Sequence, residues 1–229
     1  MGKNYAKHAL ELGCDPANEP PVFFTKQPTD IVYAGECRVP TATVPFPAAT
    51  ELLHHEVELV VIIGKDQPSL RDPIPVTEAL DFVYGYCVGL DMTRRDIQNE
   101  ARASNGPWDL SKSFDNAAPC GEVVLAKDWR PNGQLVACSV NGTERQRGSI
   151  DEMIWKVEDI IHHLSTFTQM RTGDIIFTGT PQGVGSVSEG DVVVATVEGL
   201  PSVVLEYSTL TPVDIDPIMQ LKLGGLPNF

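Results

Sequence analysis

Short apolar runs recur along this chain between glycines and prolines, and helical patterns are the minority. Runs of this kind, bounded by turn residues, predict β-strands. The predicted strands cover residues 22–26, 54–63, 84–90, 135–141, 174–178, 191–197 and 203–207. Asn141-Gly142, at the end of one run, predicts a tight hairpin turn. The pattern therefore indicates a mixed, β-rich α+β fold with a few helices.

The clearest helical pattern covers residues 149–169, where apolar residues recur three and four positions apart. Ser149 and Glu152 have the spacing of a capping box, which stabilises the start of a helix. His162 and His163 are adjacent in this segment, and adjacent side chains on a helix point in different directions. We therefore expect these two histidines at surface or packing positions and not as joint metal ligands.

Length and composition predict one sizeable hydrophobic core. The chain has 229 residues, of which 42% are hydrophobic, and β-rich domains of this length often stay single. We expect one catalytic domain at residues 1–210. The remaining segment, residues 211–229, carries three prolines and a Gly-Gly pair, which is typical of a peripheral C-terminal arm.

Charge and cysteine usage exclude several classes of partner. Lys and Arg number 17 against 31 Asp and Glu, so the formal net charge is −14, which repels nucleic acid and anionic membrane surfaces. The sequence contains neither a secretory signal pattern nor an apolar run of 18 residues. The cysteines are odd in number and scattered along the chain: Cys14, Cys37, Cys87, Cys120 and Cys138. This pattern predicts free thiols in a reducing compartment, here the cytoplasm.

Acidic residues at the ends of two predicted strands form the first candidate site. Glu56 and Glu58 lie two positions apart on one strand and so point to the same face. Two such charges resist burial unless a cation lies between them. Asp91, which follows another apolar strand, is the best third ligand. Three carboxylates without cysteine ligands suit Mg²⁺, with Mn²⁺ as the next choice, then Ca²⁺, and do not suit zinc. The alternative is a solvent-facing acid pair on an edge strand.

A histidine and a glutamate near the start of the chain form a second constellation. Residues 5–12 predict a short helix with Asn4 as its N-cap and Gly13 after its end. His8 and Glu11 are three positions apart and share one face of that helix. A histidine held by a carboxylate suits general-base activation of water. On this pattern alone, an ordinary surface pair is the competing interpretation.

Five spaced segments together resemble the fumarylacetoacetate hydrolase family, and within it the short acylpyruvate hydrolases. They are NYAKH at residues 4–8, HHEVE at 54–58, LDMTRRDIQ at 90–98, KSFD at 112–115 and TGTPQGVG at 178–185. The resemblance extends over nearly all of residues 2–207, with these segments in the family's order. The resemblance implies a β-sandwich roll with peripheral helices, and it implies that the three acids hold the metal.

The same resemblance assigns further side chains and a quaternary state. It places the His8–Glu11 pair on a lid over the metal, and Lys112 against the substrate, where its ammonium stabilises developing negative charge. It also implies that a second set of residues contacts the substrate, namely Lys26, Arg95, Gln98 and Thr180. It further implies a homodimer. Without the resemblance, solvated surface charges are the preferred interpretation of the basic residues in this second set and of Lys112. The segment 178–185 matches neither a P-loop nor a dinucleotide fingerprint.

The activity that the resemblance implies is hydrolysis of a carbon–carbon bond in 2,4-dioxo acids such as fumarylpyruvate or acetylpyruvate. The products are pyruvate and a carboxylic acid. Alternatives from the same chemistry are decarboxylation of oxaloacetate and isomerisation or hydration of unsaturated 2-oxo diacids. A noncatalytic metal-stabilised binding protein is a further alternative. The His8–Glu11 pair favours hydrolysis, because decarboxylation does not use an activated water.

The start of the chain departs from the family pattern. Family members carry a short strand before the Asn-Tyr motif, whereas here Met1-Gly2-Lys3 precedes it directly. This difference predicts a truncated or misassigned start. A mitochondrial location then stays open beside the cytoplasmic one.

Overall fold

The computed structural model describes residues 1–11, 13, 21–35 and 41–208. Its strands are β1 Ile31–Tyr33, β2 Ala42–Pro45, β3 Leu53–His55, β4 Val57–Ile63, β5 Val83–Leu90, β6 Thr93–Arg94, β7 Ala118–Cys120, β8 Val124–Leu125, β9 Leu135–Val140, β10 Thr143–Ser149, β11 Ile175–Phe177, β12 Gly185–Val187, β13 Val192–Val197 and β14 Val203–Ser208. Its α-helices are α1 Ala6–Glu11, α2 Arg95–Ala103, α3 Asp109–Lys112 and α4 Val157–Phe167. Short 3₁₀ helices cover Pro28–Asp30, Val76–Phe82 and Ile150–Glu152.

Within the described residues, two larger sheets and one small sheet form the framework. One large sheet has the strand order β1-β7-β5-β4-β11, with β8 also on β5, and the other has the order β10-β9-β13-β14-β2. The small sheet is β12-β3-β6. Leu59 and Val88 of the first sheet and Val193 and Leu205 of the second belong to one buried apolar cluster. The mixed, strand-rich α+β prediction is confirmed.

The predicted strand at residues 54–63 divides at Glu56. Leu53–His55 pairs with β12 and β6, whereas Val57–Ile63 pairs with β5 and β11. The chain thus changes sheets at the first of the candidate metal ligands. Hydrogen bonds to neighbouring strands hold both β3 and β4. The backbone is therefore fixed both before and after Glu56.

The predicted helix at residues 149–169 is wrong in its first half. The Ser149–Glu152 capping box is present, but it caps the 3₁₀ turn Ile150–Glu152, and α4 begins only at Val157. The Asn4 side chain accepts a hydrogen bond from Trp155 N at 2.8 Å, and Tyr5 forms a β-bridge with Met153. Tertiary hydrogen bonds to the N-terminal segment thus replace the helical ones at residues 153–156.

The predicted strand at residues 22–26 is also wrong. Val22 makes only an isolated bridge to Gly2. Side chains hold this segment in place of a ladder: Phe23 stacks on His163 with ring centroids 5.5 Å apart, and Phe24 lies 5.8 Å from Trp108. Side-chain packing therefore determines its path.

Two local predictions are confirmed, and others lie outside the described residues. Asn141 and Gly142 join β9 to β10 with φ of 51° and 75°, as a tight hairpin turn requires. Helix α1 forms at Ala6–Glu11, with Gly13 just beyond it at φ 72°. The predicted N-cap role of Asn4 is wrong, because its side chain bonds to Trp155 and Thr178. The arm at residues 211–229 lies outside the described residues, as do Cys14 and Cys37. Among the described residues, no helix is long and apolar enough to span a bilayer.

Candidate metal and active site

The antiparallel pairing of β4 and β5 brings the three predicted acids together. Val57 pairs with Leu90, and the Asp91 amide donates to the Glu56 carbonyl at 2.8 Å. One carboxylate oxygen each of Glu56, Glu58 and Asp91 lies within 4.8 Å of the others. The residues are only 5%, 0% and 0% exposed, respectively. The alternative of a solvent-facing acid pair on an edge strand is therefore wrong.

Charge and hydrogen bonding at Glu58 favour a cation at this point. Burial, with the charges of Asp91 and Glu56 adding to it, raises the pKa of Glu58 to about 8. Its Oε1 atom is buried and has no hydrogen-bond partner among the described residues. A divalent ion would stabilise the ionised carboxylate and satisfy that oxygen. The all-oxygen donor set fits Mg²⁺ or Mn²⁺.

Gly179 orients Glu58 and was not predicted from the sequence. Its backbone N–H donates to the other Glu58 oxygen, Oε2. Gly179 has φ of 101°, and a Cβ there would come within 2.6 Å of Asn4 Cβ, so a larger residue would be both strained and crowded. Asn4 donates to Thr178 O at 2.7 Å and so holds this turn. The only sequence feature that pointed to this role was the glycine-rich segment 178–185.

Three basic side chains surround the acids. Lys112 Nζ lies 2.9 Å from Glu56 Oε2 and 2.6 Å from Asp91 Oδ2. Lys26 Nζ lies 2.8 Å from Asp91 Oδ1 and donates to Met92 O at 3.0 Å. The Arg95 guanidinium contacts Glu56. The structure thus places the three predicted basic residues directly against the predicted ligands.

The pKa values of Lys112 and Glu56 reflect their pairing. Burial would lower the pKa of Lys112, but Asp91 and Glu56 raise it. Burial would raise the pKa of Glu56, but Lys112 and Arg95 hold it well below its ordinary value. Both groups are therefore charged, and the single positive charge of Lys112 is shared between Glu56 and Asp91.

Most of the predicted site residues line one small cavity of about 20 Å³, beside Phe24 and Trp108; they are His8, Glu56, Arg95, Gln98, Lys112 and Thr180. A volume of this size holds about one water molecule. A keto acid can enter only if side chains that line the cavity move. Lys26 and Asp91 line a neighbouring groove of about 510 Å³, which includes Ile31 and Phe177.

The predicted His8–Glu11 pair is present at this cavity. His8 is buried, and its Nδ1 lies 3.3 Å from Glu11 Oε2. Glu11 also accepts a hydrogen bond from Gly183 N at 3.1 Å. The helix α1 is thereby tied to the turn that contains Thr180. The interpretation of the pair as an ordinary surface feature does not hold, because His8 and Glu56 line the same cavity.

The other predicted contact residues lie on α2 and on the 178–185 turn. Arg95 and Gln98 are buried on one face of α2, where the guanidinium of Arg95 donates to Gln98 Oε1. Thr180 is buried and accepts a hydrogen bond from Gln146 Nε2 at 2.7 Å. His162 lies elsewhere, with Nδ1 2.7 Å from Ile74 O, and His163 packs among aromatic rings. The expectation of packing roles for these two histidines is confirmed.

Removing Lys112 tests the charge balance of the site. We expect Lys112→Met to lower the free energy of unfolding by about 3–5 kcal/mol in a chelator, because Glu56 and Asp91 lose their buried partner. Excess Mn²⁺ should restore much of this loss, since the ion neutralises the same oxygens. Urea unfolding with EDTA and with Mn²⁺ measures both values, and Lys127→Met at an exposed position is the matched control. An equal loss in both conditions would contradict the expectation.

The comparisons with known proteins define the family. The model of the fumarylacetoacetate (FAA) hydrolase C-terminal family matches residues 1–206, and the chain belongs to this family. It is 40% identical over 191 residues to a fumarylpyruvate hydrolase from Ralstonia sp, covering 83% of this chain and 94% of that protein. It is 38% identical over 201 residues to a mitochondrial oxaloacetate tautomerase from Oryza sativa subsp. japonica, covering 87% and 85%.

A solved structure confirms the fold. The crystal structure of fumarylpyruvate hydrolase from Pseudomonas aeruginosa, in complex with Mn²⁺ and pyruvate, matches with a TM-score of 0.86 and 40% sequence identity. The match covers 91% of this chain and 88% of that chain. The predicted fold of this family is therefore the observed one.

Proposed function

We propose that this protein is a metal-dependent hydrolase that cleaves the carbon–carbon bond of 2,4-dioxo acids to release pyruvate and a carboxylic acid. One observation carries the proposal: the buried ligand Glu56 and the carboxylate-held His8 line one cavity. The similarity to fumarylpyruvate hydrolases at 40% identity supports it. Among dioxo acids we propose fumarylpyruvate, the substrate that the names of these two relatives give.

Glu56, Glu58 and Asp91 would hold the metal, and we propose Mg²⁺, with Mn²⁺ as an effective replacement and Ca²⁺ as a poorer one. When bound, the cation supplies Lewis acidity, which polarises a substrate oxygen and stabilises negative charge. Mn²⁺ in the related crystal structure supports a divalent ion. The oxygen-only donor set supports it independently.

His8 is the proposed general base. With Nδ1–H donating to Glu11, the Nε2 atom carries a lone pair that can accept a proton from water. The resulting hydroxide adds to the 4-carbonyl carbon of the substrate. The bond between carbons 3 and 4 then breaks, and its electron pair moves onto the 2-oxo oxygen as pyruvate enolate. His8 then returns its proton to carbon 3, which converts the enolate to pyruvate and balances the reaction.

Basic and polar side chains would bind and orient the dioxo acid. The Lys112 ammonium is buried and lines the cavity, so its positive charge would stabilise the oxygen on which the enolate charge develops. Lys26 neutralises Asp91 from the other side. Arg95, held by Gln98, and the Thr180 hydroxyl both line the cavity and would bind a substrate carboxylate.

A substrate panel tests the proposal. We expect fumarylpyruvate and acetylpyruvate to lose their enol absorbance and to release pyruvate with Mg²⁺ or Mn²⁺, about 10³-fold faster than in EDTA, since Lewis-acid catalysis supplies several kcal/mol. Oxaloacetate is assayed beside them for pyruvate release and for enol decay.

Each contrary result identifies a different function. Pyruvate from oxaloacetate alone, with no dioxo acid cleaved, would indicate a decarboxylase. Accelerated ketonisation of oxaloacetate without pyruvate would indicate a tautomerase, an activity that the name of the Oryza sativa relative supports. Metal binding without any turnover would indicate a metal-stabilised binding protein.

We further propose a homodimer located in the cytoplasm. The edge strands β1 and β11 expose Ile31 and Ile175 beside the groove of about 510 Å³, an apolar surface that a second copy could cover. Sedimentation equilibrium measures the assembly, and a monomer at micromolar concentration would contradict it.

A further inference from the structure

Gln146 is buried beside Thr180 and the strand that leads to Glu56, although its sequence neighbours are charged and exposed. The register between β9 and β10 shifts between Glu144 and Gln146, as in a β-bulge. The bulge turns the Gln146 side chain inwards, where it is 0% exposed. Bulges are a common means of re-aiming a side chain near an active site. Neither the sequence pattern nor the family resemblance had singled out this residue.

The Gln146 side-chain amide makes four hydrogen bonds. Its Oε1 accepts from Val57 N at 3.1 Å and lies 2.8 Å from His55 Nδ1. Its Nε2 donates to Thr180 Oγ1 at 2.7 Å and to Pro181 O at 2.8 Å. All the bonding positions of a glutamine side chain are thus used.

Two of these partners determine the direction of the other two bonds. Val57 N–H can only donate and Pro181 O can only accept, so the amide of Gln146 has one orientation. His55 must therefore carry its proton on Nδ1. Thr180 must accept through its oxygen, which leaves its own hydroxyl proton for another acceptor.

The Thr180 hydroxyl proton is directed by this arrangement. The structure records no hydrogen bond that Thr180 Oγ1 donates to a described residue, and Thr180 lines the cavity beside His8 and Lys112. At its other end, Gln146 binds the residues on both sides of Glu56, where the chain passes from β3 to β4. One side chain thus contacts the metal-ligand segment and the substrate-binding turn.

We infer that Gln146 is a positioning residue that makes Thr180 a hydrogen-bond donor towards a substrate carboxylate and fixes the backbone around Glu56. This inference rests on the proposed function. Gln146 touches neither substrate nor metal and acts through its two neighbours. A glutamine is needed because only an amide donates at one end and accepts at the other.

The variant Gln146→Glu tests the donor end of the side chain separately from its acceptor end. It retains the acceptors for His55 and Val57 and, when ionised, removes the donors to Thr180 and Pro181. The Thr180 hydroxyl then donates to the new carboxylate and turns its lone pairs to the substrate. We expect KM for fumarylpyruvate to rise about 10- to 100-fold at pH 8, as for loss of a hydrogen bond to a charged group. The rise should diminish at lower pH, where the new carboxyl is protonated and donates again.

A double-mutant cycle shows whether the effect passes through Thr180. We expect Thr180→Val to raise KM as well, and Gln146→Glu to add little in that background. The Mn²⁺ affinity, measured by the loss of the free-ion EPR signal, should stay within about threefold, since the acceptors near Glu56 remain. Gln134→Glu, away from the cavity, is the matched charge control. Multiplicative effects of the two substitutions on KM would overturn the inference.

Two further measurements keep the result decisive. If Gln146→Glu does not fold, Thr180→Ser and Thr180→Val are compared: a KM near wild type for serine and raised for valine supports the inference, and no difference overturns it.

If the wild type cleaves no dioxo acid, the proposed function fails. Calorimetric binding of pyruvate to the Mn²⁺-loaded protein then replaces KM in the same cycle, and additive losses overturn the inference.

Discussion

A Glu58→Gln variant is expected to lose about 10³-fold in kcat/KM for dioxo acids, because it would remove a charged ligand from the proposed metal, whose Lewis acidity would contribute several kcal/mol. The substitution preserves shape, so the backbone contact from Gly179 N can persist to the amide oxygen. The change is therefore one of charge and ligand strength at the metal.

The metal-free protein should respond in the opposite direction. Glu58 is fully buried beside Glu56 and Asp91, so an uncharged amide relieves repulsion. We expect the melting temperature in EDTA to be unchanged or raised, while the increase on adding Mn²⁺ largely disappears. Glu189→Gln at an exposed position is the control. Retention of both the Mn²⁺-dependent stabilisation and turnover in Glu58→Gln would remove Glu58 from the metal site.

A His8→Ala variant is expected to lose about 10²- to 10⁴-fold in kcat for dioxo acids, the usual contribution of a general base. KM and Mn²⁺ affinity should change little, because the hydrogen bond of His8 is to Glu11 and not to a candidate metal ligand. Steady-state kinetics and Mn²⁺ titration measure the separation. Loss of turnover together with loss of metal binding would indicate a structural role instead.

Two comparisons sharpen this result. Lys7→Ala is the matched control on α1, since Lys7 points to Glu152 at 3.1 Å and not to the cavity. Glu11→Gln should cost less than Glu58→Gln, because an amide oxygen can still accept from His8. If His8→Ala cleaved fumarylpyruvate at the wild-type rate, water activation by His8 would be wrong, and oxaloacetate chemistry would become the better assignment.

Strand periodicity predicted the acid pair correctly, although the strand divides at Glu56. Residues two apart on a strand share a face whatever surrounds them, so Glu56 and Glu58 could be placed together from sequence. The hairpin at Asn141-Gly142 and the helix α1 follow likewise from local backbone preferences. Placing Lys26, Arg95 and Lys112 at the acids depended on the family resemblance, because their own sequence context does not distinguish them from surface charges.

Long-range contacts account for the elements that were wrong. Residues 153–156 have helical periodicity, but Asn4 and Tyr5 compete for their backbone groups. Residues 22–26 have strand-like composition, but aromatic stacking replaces a neighbouring strand. In both cases the competing partner is distant in sequence, so no local window contains the information.

The sequence by itself determined the β-rich class, the pairing of Glu56 with Glu58 and the family's chemistry, because these depend on local periodicity and on motifs in order. Only the tertiary structure decided that Lys112 pairs with both Glu56 and Asp91, that Gly179 orients Glu58, and that Gln146 joins the Glu56 segment to Thr180. These contacts arise where separate strands and turns meet. Their physical basis is the requirement that buried charges and polar groups find partners, which only the assembled fold can supply.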